Sequence, residues 1–509
     1  MFQMNLQTKE YNPTKKHTIS AWLAVLLAVS SAVISCGDTT EQPTNDSTAA
    51  TETEAQTEDV NTSLRGERLP SNLPDDLDLG GETVRIWYYT GYPTEPVINI
   101  AGDESGDIVD VALYERNRAI EEDLNVTLAF HQDETYSGST GDAVRTYVMA
   151  AEDAYDYFNV CQWNAVMLAA EHMFLDLSDV PHFNFEDPWW SKQYIDACSI
   201  GTNHLYYLVG DINLDMIRCI SAFYFNRQLL ESLDHSADEL YQLALDGKWT
   251  IDHMLTLAND AYQDINANGL SDAGDRFGAM FRIANALDSI SFGLGLQLTA
   301  RDENHYPYLT GDLEHNVDVF AKMQVLLNET NSVYHSTTPE DIIKFFSQGD
   351  SLFMGGFLYI AENLRDMEDD FGILPYPKYD ENQESYRSVV QDTAALACVP
   401  VTCSKFDTVT AVLEAIAYYS YYDVTPVYYE SALKVKYARD EITPQVVDII
   451  RNSAMTDTSY VYIEAFNDLG RIMRDMNGYE KYASSYARKV KATQKRMEKF
   501  IASFEEDID

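Results

Sequence analysis

Residues 82–89 read Glu82-Thr83-Val84-Arg85-Ile86-Trp87-Tyr88-Tyr89, a β-branched and aromatic run that follows Gly80-Gly81. Such a composition predicts a strand opened by a turn. Over residues 107–124 the period changes. Val109, Leu113, Ile120 and Leu124 recur at helical spacing, and Glu115, Arg116, Arg118, Glu121 and Glu122 fall on the other side. That pattern predicts an amphipathic helix with the charges in water. Residues 126–130 read again as strand, 141–152 as helix and 155–161 as strand. The order β-α-β-α-β predicts a parallel sheet with helices on both faces, so the first unit is α/β.

Downstream, helical patterns dominate at 227–233, 251–263, 312–328, 339–347, 406–419, 444–452 and 479–504. Short apolar strands at 221–225, 352–353, 372–376 and 389–399 interrupt them, which predicts a second α/β unit. The length, 509 residues, exceeds what one ordinary core supports. With 35 basic against 82 acidic residues the formal charge is −47, which excludes most nucleic-acid binders, because that role needs a basic footprint. The 34 Tyr, 21 Phe and 6 Trp supply ample surface to bury and exclude a wholly disordered acidic chain.

Upstream, Lys9, Lys15, Lys16 and His17 precede an apolar run over 19–34, the order of a secretory signal. The run ends Val33-Ile34-Ser35-Cys36-Gly37. This resembles the lipobox of bacterial lipoproteins, which implies a signal peptide over 1–35 and lipidation at Cys36. An uncleaved signal anchor is the alternative, and both place the remainder outside the cytoplasm. Residues 36–70 are rich in Thr, Glu, Asp, Gln and Ser and poor in apolar side chains, so a disordered tether is expected. Five cysteines follow Cys36: Cys161, Cys198, Cys219, Cys398 and Cys403. The number is odd, and no zinc spacing accompanies them, so buried thiols are expected.

One loop carries metal-ligand spacing. Asp264, Asn266, Asn268, Asp272 and Asp275 occupy positions 1, 3, 5, 9 and 12, with Gly269 at 6 and the Leu270 carbonyl at 7. That is the arrangement of a calcium loop, closed by Asp where Glu is usual. A structural Ca2+ is expected there, against the alternative of an Asx-rich turn that only joins two segments.

The lipobox, Tyr224-Phe225-Asn226 before a helix, Gly247-Lys248-Trp249-Thr250 opening another, and Phe371-Gly372-Ile373-Leu374-Pro375-Tyr376-Pro377-Lys378 resemble the extracellular solute-binding proteins, family 1, of ABC importers. The sugar-binding group is the most similar. Val424-Thr425-Pro426-Val427-Tyr428-Tyr429-Glu430 and Lys436-Tyr437-Ala438-Arg439-Asp440 add to the resemblance, which runs from about Leu79 to the C-terminus. It implies a two-lobed α/β fold of the periplasmic-binding-protein type (type II), with a hinge and an interlobe ligand cleft. The expected lobes are 71–210 with 388–422, and 211–387 with 423–509, the latter holding the loop at 264–275. The implied partners are a small-molecule solute, expected to be carbohydrate, and ABC permease subunits. The expected state is a monomer held to the extracytoplasmic face of the cell membrane through its lipid alone.

Sugar faces stack on aromatic rings, and sugar hydroxyls pair with carboxylates and amides. Trp163 directly follows the third predicted strand, at a carboxyl end where open α/β sheets place ligands, although a structural role competes. Asp211 stands at the expected first crossover, with turn capping as its alternative. Phe357 and Tyr359 follow Met354-Gly355-Gly356, read as a flexible turn, with core packing the rival. Asp392 is a charge at the start of the predicted 389–399 strand, and a buried carboxylate needs partners. Tyr89, ending the first strand, is a weaker candidate. No G-x-S-x-G, H-E-x-x-H or phosphate loop occurs, so a non-enzyme is expected. A tethered glycoside hydrolase and a carbohydrate-binding surface adhesin remain the alternatives.

Overall fold

The strand that opens the sequence argument, β1 (Glu82–Tyr89), forms the middle of a four-stranded sheet. It pairs in parallel with β2 (Val126–Asp133) and with β3 (Tyr157–Cys161), as the β-α-β-α-β pattern predicts. The computed structural model describes residues 68–91, 100–151, 153–202, 204–311, 314–336, 338–433, 443–475 and 482–505. The expected signal peptide, Cys36 and the expected tether up to residue 67 lie outside the described residues. No helix among those described is long and apolar enough to cross a membrane.

Helix α1 (Ile108–Asp123) links β1 to β2, and a capping box between Asp107 and Asp110 starts it. One expectation fails here: Arg116, predicted to face water, is 2% exposed. Its guanidinium donates to Ser420 Oγ at 3.0 Å and to the Ile100 carbonyl at 2.7 Å. The helix is covered on a second side, by the segment around Ser420–Val424, and a single amphipathic stripe cannot report a second cover. Burial lowers the Arg116 pKa to about 10. Helix α2 (Gln162–Ala170) begins where β3 ends.

A second sheet of five strands has β4 (Ser221–Asn226) next to its edge. Helix α3 (Ile251–Ala261) precedes β5 (Phe277–Arg282), and helix α4 (Asn285–Gly293) follows it. Then come β6 (Val333–Ser336), β7 (Ser351–Phe357) and β8 (Phe371–Leu374). The order is β8-β4-β7-β5-β6, with β5 parallel to β6 and β7, and β4 antiparallel to β7 and β8. The glycines read as a turn, Gly355 and Gly356, instead lie inside β7. A Cβ on Gly355 would stand 2.8 Å from the Phe281 ring and the Tyr376 hydroxyl, and one on Gly356 2.4 Å from Ile360 Cδ1. They are glycine for close approach, not for flexibility.

The predicted strand over 389–399 is two pieces. Ser388–Val389 pairs with Ala454–Met455, and β9 (Ala395–Cys398) crosses to the first sheet, antiparallel to β3. The polar Gln391-Asp392-Thr393 connector switches sheets: Gln391 N–H bonds the Cys219 carbonyl at 2.9 Å, and Ala394 N–H bonds back to Gln391 at 3.0 Å. Helix α5 (Phe406–Tyr419) packs on α1, and the chain through Ser420–Val424 and Thr425–Tyr428 stays against α1. This return segment also holds the start of the described chain. Leu69 N–H donates to the Tyr422 hydroxyl at 2.9 Å, Tyr418 donates to the Leu69 carbonyl at 3.0 Å, and Arg68 pairs with Asp423. Arg68 and Leu69, expected in the tether, are thus docked on the body. The five described cysteines are free thiols, four buried and Cys403 partly so.

Candidate functional site

The carboxyl ends of β1, β2 and β3 and the amino end of β9 form one edge of the first sheet. At this edge the chain turns from β3 into α2, and the turn presents Trp163. The Trp163 ring is half-buried, and its Nε1 is buried with no hydrogen-bond partner among the described residues. The Arg471 guanidinium lies 5.5 Å from its centroid, a cation–π contact.

Arg471 also grips Asp392, donating to Oδ2 from Nε at 3.1 Å and from Nη2 at 2.6 Å. Arg474, three residues on, reaches the same oxygen at 3.3 Å and donates from Nε to Asp288 Oδ2 at 2.6 Å. Asp288 belongs to α4, which follows β5 of the second sheet, so a guanidinium bridges the two carboxylates. Asp288 is fully buried, and its Oδ1 has no partner among the described residues. Burial raises its pKa to about 6, opposed by Arg474. The Tyr460 hydroxyl and Thr393 Oγ1 are also buried without partners among the described residues. Burial, then the charges of Asp392 and Asp288, push the Tyr460 pKa well above the usual phenol value.

Tyr89 joins this group, donating to the Thr393 carbonyl at 2.9 Å. Tyr88 beside it lines a cavity of about 510 Å³ with Gln132 and Asp107 on the first-sheet side and Arg218, Glu362 and Arg365 facing them. Arg218 holds Glu362 bidentately at 3.0 and 2.9 Å. Phe357 and Tyr359 lie at the carboxyl end of β7, buried and stacked on one another at 5.9 Å and 10°. The Tyr359 N–H bonds the Arg218 carbonyl at 3.0 Å, which places them behind the cavity wall.

The structure therefore brings Trp163, Asp392 and Tyr89 together, and sets Phe357 and Tyr359 near the adjoining cavity. Asp211 lies elsewhere: its Oδ1 accepts from Arg451 at 2.6 Å and its Oδ2 from Thr425 at 2.8 Å. Sequence reasoning missed Asp288, Tyr460, Arg471 and Arg474. The available signal was Arg471-Ile472-Met473-Arg474, two cations three apart in a strongly acidic chain.

No family model matches the chain, and no curated protein matches it. Solved structures do match. The GacH receptor of Streptomyces glaucescens, described unliganded and with acarbose, aligns over 82% of this chain and 99% of its own, with TM-score 0.52 and 14% identity. UgpB from Mycobacterium tuberculosis in complex with glycerophosphocholine aligns over 83% of this chain and 100% of its own, with TM-score 0.52 and 15% identity. A cyclo/maltodextrin-binding protein complexed with maltotetraose aligns over 84% and 97%, with TM-score 0.53 and 10% identity.

The fold is the two-lobed type II α/β fold of periplasmic binding proteins. Each sheet is the heart of one lobe. The Trp163–Asp392–Arg474–Asp288 group then runs from the cleft edge of the first lobe to α4 of the second.

Proposed function

We propose that the protein is an extracytoplasmic receptor that closes on a carbohydrate between its lobes and hands it unchanged to the permease of an ABC importer. In this reading it is a monomer, held to the outer face of the cell membrane by a lipid on Cys36. The carrying observation is the set of buried polar atoms without partners among the described residues: Trp163 Nε1, Thr393 Oγ1, Tyr460 OH and Asp288 Oδ1. A donor, an acceptor and two hydroxyls that can be either, beside an indole ring, form the chemistry that meets a polyol. The two aspartates are matched by two arginines, so the group as a whole is neutral and suits an uncharged sugar. The neighbouring cavity has the size of a small-molecule site. Ligand contacts to both lobes favour the shut state.

The test is a thermal-shift screen of the full chain against mono- and oligosaccharides, followed by chromatography of the sugar. A receptor gains stability through ligand linkage and returns its ligand intact. Shortened oligosaccharide would establish the hydrolase reading instead, and a midpoint that no small molecule moves would leave the adhesin.

A further inference from the structure

The connection from α3 to β5 contains the twelve-residue run 264–275, outside the cleft and unused by solute capture. Its base is closed by the reciprocal pair Gln263 N–H to Arg276 O and Arg276 N–H to Gln263 O, both at 3.0 Å. Gly269, at the sixth position, has φ +75°, the left-handed turn that glycine takes without strain. The Asp264 carboxylate accepts the N–H groups of Asn268 at 3.2 Å and Gly269 at 2.9 Å. The amides of Asn266 and Asn268 both donate to Asp272, at 2.9 and 2.7 Å.

Asp275 differs from these exposed or half-buried residues, being only 3% exposed. Its Oδ2 accepts the N–H of Asp272 at 3.2 Å and the Tyr262 hydroxyl at 3.3 Å, so the carboxylate is turned into the loop. Its Oδ1 is buried and has no partner among the described residues. A buried carboxylate oxygen aimed into a ring of oxygen-bearing side chains lacks a donor or a cation.

We propose that residues 264–275 bind Ca2+ through Asp264, Asn266, Asn268, the Leu270 carbonyl, Asp272 and Asp275. Among the described residues no three Asp, Glu, His or Cys side chains already converge at metal distance, so the loop contracts on binding. The contraction is small in kind. The two Asn amides that now neutralise Asp272 yield to the ion, and each Asn Oδ1, which accepts one backbone N–H at 3.0 or 2.7 Å, keeps a second lone pair for it. Short, mobile oxygen ligands suit the long and variable bonds of Ca2+ better than the tight octahedron of Mg2+. Asp in place of the usual closing Glu reaches less far, which places the affinity among extracellular calcium modules, with Kd about 10⁻⁴ to 10⁻³ M.

The ion acts on the fold, not on the solute. The loop feeds the amino end of β5, whereas Asp288 follows its carboxyl end, so the ion and the cleft lie at opposite edges of the second sheet. Ser271 Oγ donates to the Asn331 carbonyl at 3.0 Å, just before β6. A bound ion therefore cross-links α3, β5 and the β6 approach.

The test uses the full chain, with terbium as a luminescent calcium mimic and the hydroxyl of Tyr262 beside the site as its antenna. Calcium at about 10 mM is expected to raise the melting midpoint by a few degrees over chelator, through binding to the folded state alone. Terbium emission excited through tyrosine should appear, be displaced by Ca2+, and fall in Tyr262→Phe while that variant keeps its calcium-dependent midpoint. Asp275→Asn should weaken calcium at least tenfold. If that variant does not fold, calorimetric titration of the unaltered chain decides, since one saturable site is expected. A midpoint that Ca2+ leaves in place, or that Mg2+ moves equally, would overturn the proposal, because general screening of a −47 chain does not distinguish the two ions.

Discussion

Replacing Asp288 by Asn should flatten the pH dependence of stability by an amount the structure specifies. The Asp288 side chain is fully buried, and its pKa rises from 3.8 to about 6, because burial penalises the charge more than Arg474 relieves it. A shift of about two units is worth ~3 kcal/mol at ~1.4 kcal/mol per unit. The sign follows from proton counting. Between the unfolded and folded values the native protein holds a proton that the unfolded chain has released, so stability is full below about 4 and is lost as the pH rises through 6. The side-chain amide of the Asp288→Asn variant cannot ionise, so the variant shows none of this loss.

Urea unfolding of the full chain, followed by intrinsic fluorescence from pH ~4 to ~7, measures it, provided the dependence on urea has equal slope in both proteins. Asp215 is also buried with a pKa raised to about 6 by burial, so the wild-type slope alone is not diagnostic. The difference between wild type and Asp288→Asn cancels Asp215 and any pH-independent cost of disturbing Arg474. That difference should shift by ~3 kcal/mol in favour of the variant between the two ends of the range. Parallel curves would mean that Arg474 offsets the burial of Asp288 completely, and the account in which burial outweighs Arg474 would fail.

Glu414 is fully buried under the Asn72 and Trp189 donors, and burial raises its pKa to about 8. Wild type should therefore lose stability as pH rises through 8, while Glu414→Gln, which keeps an acceptor for both donors, should melt higher than wild type in alkaline buffer and equally near pH 5. Gly278→Ala should cost ~3 kcal/mol or more in urea unfolding, because its Cβ would sit 1.9 Å from the Ala258 carbonyl oxygen, a backbone atom of α3 that cannot yield. For whichever sugar the screen finds, Trp163→Ala should weaken binding by roughly 10- to 100-fold by calorimetry, the scale of losing a ring stack and one hydrogen bond. Unchanged affinity would remove Trp163 from the site.

What the sequence made legible follows from periodicity. β1 to β3 were readable because alternating and helical patterns succeed one another cleanly in residues 82–161, and short connections allow one topology. Strands β5 and β6 escaped notice: Phe277-Gly278-Ala279-Met280-Phe281 is a short apolar run with a glycine inside, which periodicity does not separate from loop or helix. Gly278 is there because α3 crosses within a carbonyl's reach of it, a fact about a neighbour 20 residues away. Arg116 shows the same blindness, since its wet side is covered by residues 420–424, some 300 positions on.

The site divides along the same line. Trp163 and Asp392 were visible as a ring after a strand and a charge in an apolar run. Their partners were not, because Arg471 and Arg474 reach Asp392 from 79 and 82 positions away, and Asp288 joins through Arg474 from 186 positions away. That long-range assembly explains why so many polar groups can remain buried. Asp392 is tolerated because two guanidinium groups meet it, whereas Trp163 Nε1, Thr393 Oγ1, Tyr460 OH and Asp288 Oδ1 have no hydrogen-bond partner among the described residues. Each such group costs ~1–3 kcal/mol when shut away unpaired, a penalty that the proposed solute would relieve. In the proposed receptor, a solute whose hydroxyls pair with all four would remove that penalty only where both lobes reach it. On that proposal affinity and closure would come from the same atoms. A polar ligand that satisfies one lobe alone should accordingly bind weakly and leave the radius of gyration of the open protein unchanged.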